Sequence, residues 1–154
     1  MAALSALRPR SSRVATYVDT SVWCAYCFNE EDAEKAVQWL GNAEMENVGT
    51  AWWTRTEFES ALALQLRKKA LNEQQAKRSR KLFDNLMAMV VGLNVVEADF
   101  LEAAHSCKLY ASKLRAGDAL HLAVAGRHGC TALATLDKGM RGNAHRLGLE
   151  VVAL

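Results

Sequence analysis

The chain contains one proline, Pro9, and nine glycines among 154 residues. So little of either argues against a disordered chain and against an all-β fold built from many tight turns. Long apolar runs are also missing, because charge or glycine interrupts each candidate well short of the length that crosses a bilayer. The opening MAALSALRPRSSR has too short an apolar part for a secretion signal and reads as a flexible extension over residues 1–13. Cysteine is confined to positions 24, 27, 107 and 130. Cys24 and Cys27 form a C-x-x-C, but no second close pair follows to complete a zinc site, and WCAYCF reads as a buried helix turn. Ordinary thiols without a secretion signal point to the reducing cytoplasm. The four histidines are scattered, which argues against a histidine-based metal cluster, and His121 within ALHLA reads as a packed helix residue.

Hydrophobic residues make up 51% of the chain, enough to fill the core of one domain spanning residues 14–154. The net charge of +2 hides an uneven distribution. Three arginines and no acid precede residue 19, and residues 67–81 hold seven cations against the single acid Glu73. The remaining body is acidic. The cationic strip Arg67, Lys68, Lys69, Lys77, Arg78, Arg80 and Lys81 is either a solvated helix face or a guide for a phosphate backbone. Trp52 and Trp53 could stack bases or fill a core or dimer contact.

Apolar, partly β-branched runs predict strands over residues 13–19, 46–52, 94–98, 131–137 and 149–154. Helical spacing fills the intervals. Ala33, Val37 and Leu40 share one face, Phe58, Leu62 and Leu66 another, and Leu82, Leu86, Met89 and Val90 a third. Further helices are predicted over residues 99–114, 116–129 and 138–148, with Thr20 and Ser21 capping the helix after the first strand. Helices alternating with short strands imply an α/β fold, its mostly parallel sheet covered on both faces. In such folds ligands gather outside the carboxyl ends of the strands.

Asp19 and Asp137 both occupy that position, at the ends of apolar runs and before helix starts. Asp118 sits near the start of a helix otherwise too apolar to welcome charge, and Glu57 faces the same side of its helix as Ala61 and Leu64. Each has a plainer explanation. Asp19 and Asp137 could cap helices, Asp118 could serve the helix dipole, and Glu57 could be exposed, with Glu59 two residues away as a rival. Gathered carboxylates, however, repel one another and take up protons unless a cation neutralises them. Oxygen donors suit Mg²⁺ or Mn²⁺, which can activate water and stabilise a departing phosphodiester oxygen. Thr20, Ser21 and Thr135 could hold the carboxylates in place.

The ordered set YVDTSVW, TRTEFESAL, LRAGDALHLAVA and LATLDKGMRGNAHRLGLEVV resembles the PIN-domain nucleases, especially the VapC-type toxins of toxin–antitoxin pairs. The likeness covers about residues 14–154. It implies a three-layer α/β/α fold around a parallel sheet, with Asp19, Glu57, Asp118 and Asp137 as the acids of a Mg²⁺- or Mn²⁺-binding pocket. It also implies endonucleolytic cleavage of RNA, a homodimer, and a small antitoxin that occludes the pocket. Ser21 and Thr135 match the family's hydroxyl positions. Two features depart from the pattern: the extension before Val14, and Gly117 where a bulkier residue often precedes the Asp. Other readings are a nuclease acting on DNA, or a non-catalytic interaction domain. A haloacid-dehalogenase-type phosphatase would need a second Asp two residues after Asp19, where this chain has Ser21.

Overall fold

The computed structural model describes residues 14–30 and 33–154. The predicted extension over residues 1–13 lies outside the described residues. Five strands form one sheet: β1 (Thr16–Val18), β2 (Val48–Ala51), β3 (Val91–Leu93), β4 (Ala132–Ala134) and β5 (Glu150–Val151). Their order is β3-β2-β1-β4-β5, and every pairing is parallel. β1 is therefore central. The chain adds strands on one side of it through β2 and β3, then crosses to β4 and β5 on the other. The junction between β1 and β4 is a topological switch point, where helices leave to opposite faces and open a crevice.

A parallel sheet must be covered on both faces, and the strands supply an apolar side chain to each. Val18, Val48 and Ala134 pack under α1 (Thr20–Phe28), α2 (Ala33–Asn42), α3 (Trp53–Arg67) and α4 (Glu73–Met87). Tyr17, Leu133, Ala51 and Leu93 point the other way, toward α6 (Ala116–Arg127) and α7 (Lys138–Ala144). α5 (Glu97–Lys108) lies outside against α6. This is the three-layer α/β/α architecture expected from the alternating pattern. Among the described residues, no helix is long and apolar enough to cross a membrane.

Local chemistry sets the helix ends. Asn72 accepts the Gln75 N–H at 2.9 Å while the Gln75 side chain accepts the Asn72 N–H at 2.8 Å, a reciprocal cap that starts α4. Asn29 ends α1 in the left-handed conformation, with φ at 54°. At the start of α5, buried Asp99 accepts the Val96 N–H and two guanidinium N–H groups of Arg127 on α6. Burial pushes the Asp99 carboxyl up, but these hydrogen bonds outweigh it and hold it below the usual carboxylate range. Cys24, Cys27 and Cys107 are free thiols, and Cys24 and Cys27 are buried. Burial raises the Cys27 thiol to about 12, so the C-x-x-C is packing rather than a reactive pair.

Three sequence expectations require correction. The third strand is residues 91–93 rather than 94–98: α4 stops at Met87, and the apolar run VVGL enters the sheet one segment earlier. On α2 the buried stripe is Ala33, Ala36 and Leu40, leaving Val37 exposed. On α4 the deep residues are Ala76, Phe83 and Leu86, with Phe83 stacked on Phe58, while Met89 is exposed beyond the helix end.

Candidate functional site

β1 delivers Asp19 to the switch point. The Asp19 N–H donates to the Ala134 carbonyl at 3.1 Å, which draws the end of β1 against the end of β4. Asp19 as a whole is only 5% exposed. Ser21 donates to Asp19 Oδ1 at 2.7 Å and accepts the Leu136 N–H at 2.9 Å, joining the carboxylate to the loop after β4. Thr135, fully buried, accepts the Asp137 N–H at 3.0 Å. Asp137 Oδ1 accepts the Met140 N–H at 2.8 Å and caps α7. The helix cap considered for Asp137 is therefore real. For α1 it is not: Asp19 makes no side-chain cap bond, and the Ser21 and Thr20 hydroxyls serve carboxylates instead of orphan N–H groups.

Asp118 lies in the first turn of α6, where its charge favours the helix dipole. Glu57 reaches toward the same region from α3. Its Oε2 accepts hydrogen bonds from Thr20 Oγ1 and His121 Nε2. A carboxylate only accepts, so Nε2 carries the proton in that contact. Nδ1 is 2.6 Å from the Tyr17 hydroxyl, which in turn accepts the Ala51 N–H at 3.3 Å. A chain of hydrogen bonds thus runs from the sheet backbone through Tyr17 and His121 to Glu57. His121 is buried as expected, but it also belongs to the site, a role its ALHLA setting concealed. The only sequence signal was its place one turn after Asp118 on an apolar helix.

Electrostatics separate the acids. Burial raises the Asp19 carboxyl above its ordinary value, against opposing contributions from His121 and Ser21. Asp118 is raised by burial and by repulsion from Asp137. Glu57 is lowered, because its hydrogen bond and attraction to His121 outweigh burial. Gly117 makes room for this arrangement: a Cβ there would stand 2.9 Å from Glu57 Oε1. The departure from the family pattern at Gly117 is thus tied to where Glu57 lies.

Among the described residues, no group of three or more His, Cys, Asp or Glu side chains is arranged to hold a metal. Glu57 Oε2 and Asp137 Oδ1 each accept a hydrogen bond from the protein. The donor chemistry nevertheless suits a hard divalent cation. It is all oxygen, and Asp19 and Asp118 both resist ionising without added positive charge.

The cationic strip is divided. Arg67, at the end of α3, lines a groove of about 480 Å³ that also includes Glu57, Trp53 and Leu64. Arg78 lines a different groove beside Phe28, and Arg80 is held by both oxygens of Glu59. Glu59 is therefore the surface partner and Glu57 the inward one. Lys68, Lys69, Lys77 and Lys81 are exposed. Trp52 is half-exposed under the Arg55 guanidinium, whereas Trp53 separates the α3 groove from an apolar one lined by Phe100, Ala104 and Leu120.

Residues 16–145 match the family model described as PIN domain. No curated protein matches the chain. Among solved structures, the chain is similar to VapC20 of Mycobacterium tuberculosis, a toxin that cleaves the sarcin–ricin loop. Identity is 18% and the TM-score 0.66, over 83% of this chain and 94% of that one. It is also similar to FitAcB from Neisseria gonorrhoeae, at 21% identity and TM-score 0.64 over 90% and 96% of the two chains. A third is VapBC-5 of M. tuberculosis, a member of the VapBC family of toxin–antitoxin systems, at 16% and 0.59 over 92% and 99%.

The raised Asp19 carboxyl has a consequence for stability without metal. The folded state holds its proton where the unfolded chain has lost it, so this stability is complete below the unfolded value and is lost as pH rises through the folded one. Asn imitates the protonated acid. In chelator, Asp19→Asn should melt with wild type in acid and above it at neutral pH, read by calorimetry. A variant that melts lower at neutral pH would show that the Asp19 charge stabilises the fold.

Proposed function

Because the chain belongs to the PIN-domain family, we propose that it is a Mg²⁺- or Mn²⁺-dependent endoribonuclease and the toxin of a toxin–antitoxin pair. The observation that carries this reading is the buried Asp19 at the switch point, whose ionisation burial disfavours despite His121 and the Ser21 hydroxyl that orients it. Asp19, Asp118, Asp137 and Glu57 would hold the ion. When bound, it would supply activation of water and neutralisation of charge on the scissile phosphate.

The chain's own residues do the positioning. Ser21 fixes Asp19 against the loop after β4, Thr135 fixes the backbone of Asp137, and the His121–Tyr17 chain fixes Glu57. No histidine is required as a base, since His121 Nε2 is committed to Glu57. RNA as substrate is favoured by likeness to the toxin that cleaves the sarcin–ricin loop. A protein partner is favoured by likeness to VapBC-5, and free thiols agree with a cytoplasmic setting.

A homodimer is supported by an unpartnered apolar surface on and after α5: Phe100 is 56% exposed, Leu101 65% and Tyr110 91%. Isolated exposed apolar residues need no explanation, but a group of this kind marks an interface. Phe100→Glu should convert the dimer to monomer in analytical ultracentrifugation. An unchanged sedimentation coefficient would move the interface elsewhere.

Purified protein free of its partner should cut total cellular RNA at discrete sites with Mg²⁺ or Mn²⁺. Chelator should abolish the cuts, and Asp19→Asn should lower the rate by at least about 100-fold, roughly 3 kcal/mol of lost transition-state stabilisation. Cleavage that persists in the variant or in chelator would refute the proposed mechanism. Cleavage of DNA alone would move the activity to the other nucleic acid.

A further inference from the structure

Among the described residues, two buried side-chain atoms make no regular hydrogen bond: His128 Nε2 and Trp53 Nε1. Buried polar atoms are almost always paired, so each exception needs a cause. His128 follows the last residue of α6, at the opposite end of that helix from Asp118. Trp53 is the first residue of α3, one turn before Glu57, and the two line the same groove. Side chains on a helix lean toward its N-terminus, so Glu57 reaches back over the turn that carries Trp53.

The Glu57 carboxylate is held on one side. Oε2 accepts from Thr20 Oγ1 and His121 Nε2, and among the described residues no regular hydrogen bond reaches Oε1. Gly117 marks where Oε1 and the indole nitrogen converge: a Cβ at this position would stand 2.9 Å from Oε1 and 3.9 Å from Nε1. A donor and an acceptor, each short of a partner, thus meet at one glycine. Against burial, and after His121 and Thr20, the indole also helps to lower the Glu57 carboxyl. A plainer role exists for Trp53, as the wall between this groove and the apolar one lined by Phe100, Ala104 and Leu120. A wall needs only a ring, and phenylalanine would supply one without burying a donor.

We propose that Trp53 is a positioning residue for Glu57: its indole N–H closes onto Oε1 and, with Thr20 and His121 on Oε2, locks the carboxylate. The inference rests on the nuclease reading and adds how Glu57 meets the ion. An ionised carboxylate has about four lone-pair sites. Thr20 and His121 occupy the two on Oε2, and Trp53 takes one on Oε1. A single site on Oε1 remains, so Glu57 serves the ion through one oxygen and does not chelate it with both. Gly117 is needed for the same contact. A side chain there would displace Oε1, and the helix itself gains nothing from glycine, since alanine is the better helix former.

Two measurements test the proposal. Hydrogen exchange of the indole protons is followed by NMR in chelator-treated protein, where the Trp53 signal is the one missing from Trp53→Phe. That proton should exchange about tenfold faster in Glu57→Leu, which fills the space without an acceptor, and in Gly117→Ala, which crowds Oε1. Glu57→Gln keeps an oxygen and should retain part of the protection. Titration with Mn²⁺ then reads the consequence for the ion. Trp53→Phe should weaken binding at least about tenfold, as expected when a partner that orients a metal ligand is lost. Trp39→Phe, on α2 and remote from the acids, should bind as wild type does. Unchanged exchange in Glu57→Leu, or wild-type Mn²⁺ affinity in Trp53→Phe, would overturn the proposal and leave Trp53 as a wall. Wild type that takes up no Mn²⁺ would overturn the nuclease reading instead, while the exchange measurement still decides whether Trp53 holds Glu57.

Discussion

The carboxylate of Asp19 closes the central strand of a parallel sheet with almost none of its surface in water, where ionisation is disfavoured. Strand ends at a switch point are open to ligands because the flanking helices diverge there. The same geometry brings the start of α6 and the loop after β4 alongside, and with them Asp118 and Asp137. Their mutual repulsion, added to burial, raises Asp118 as well. Burial thus raises Asp19 against the pull of His121 and Ser21, and burial with Asp137 raises Asp118. A core built for stability alone would place an apolar or amide side chain at the end of β1.

What the fold does provide is orientation. Ser21 fastens Asp19 to the backbone of Leu136, and Thr135 holds the amide of Asp137. Glu57 is treated differently from the other acids. It faces His121 and Thr20 across the gap between α3 and α6, and the Tyr17 hydroxyl and Ala51 amide steady the imidazole from behind. Gly117 leaves the space this requires. One carboxylate is therefore stabilised in its charged form while Asp19 and Asp118 are left wanting a cation. This division is what the proposed divalent-cation site requires, since a fully satisfied set of acids would have little reason to bind an ion.

Much of this was legible in the sequence for a simple reason. A short apolar run that ends in Asp and is followed by a helix start cannot hide its charge, and Asp19 and Asp137 both have that form. The layer architecture followed from alternating periods of hydrophobicity. What failed was information carried by tertiary contact. The third strand and the preceding helix share the run LMAMVVGLNVV, in which nothing local fixes where one ends. Phe83 falls outside the stripe that spacing predicts on α4, because its partner Phe58 lies on another helix and only the tertiary fold joins them. Glu57 and Glu59 could not be told apart by spacing; Arg80, far along the chain, separates them by pairing with Glu59. Thr20 and Ser21 admit two readings from sequence, as helix caps or as supports for the carboxylates, and the fold decides for the second by bringing Glu57 and Asp19 within their reach.

In the proposed function these acids are short of positive charge and take it from a divalent ion. Titration of chelator-treated protein with Mn²⁺, followed by electron paramagnetic resonance of the free ion, measures this without reference to any substrate. Saturable binding by wild type is expected, weakened by at least about tenfold, roughly 1.4 kcal/mol, in Asp118→Asn. Wild type that leaves the Mn²⁺ signal undiminished, or a variant that binds as well as wild type, would contradict it.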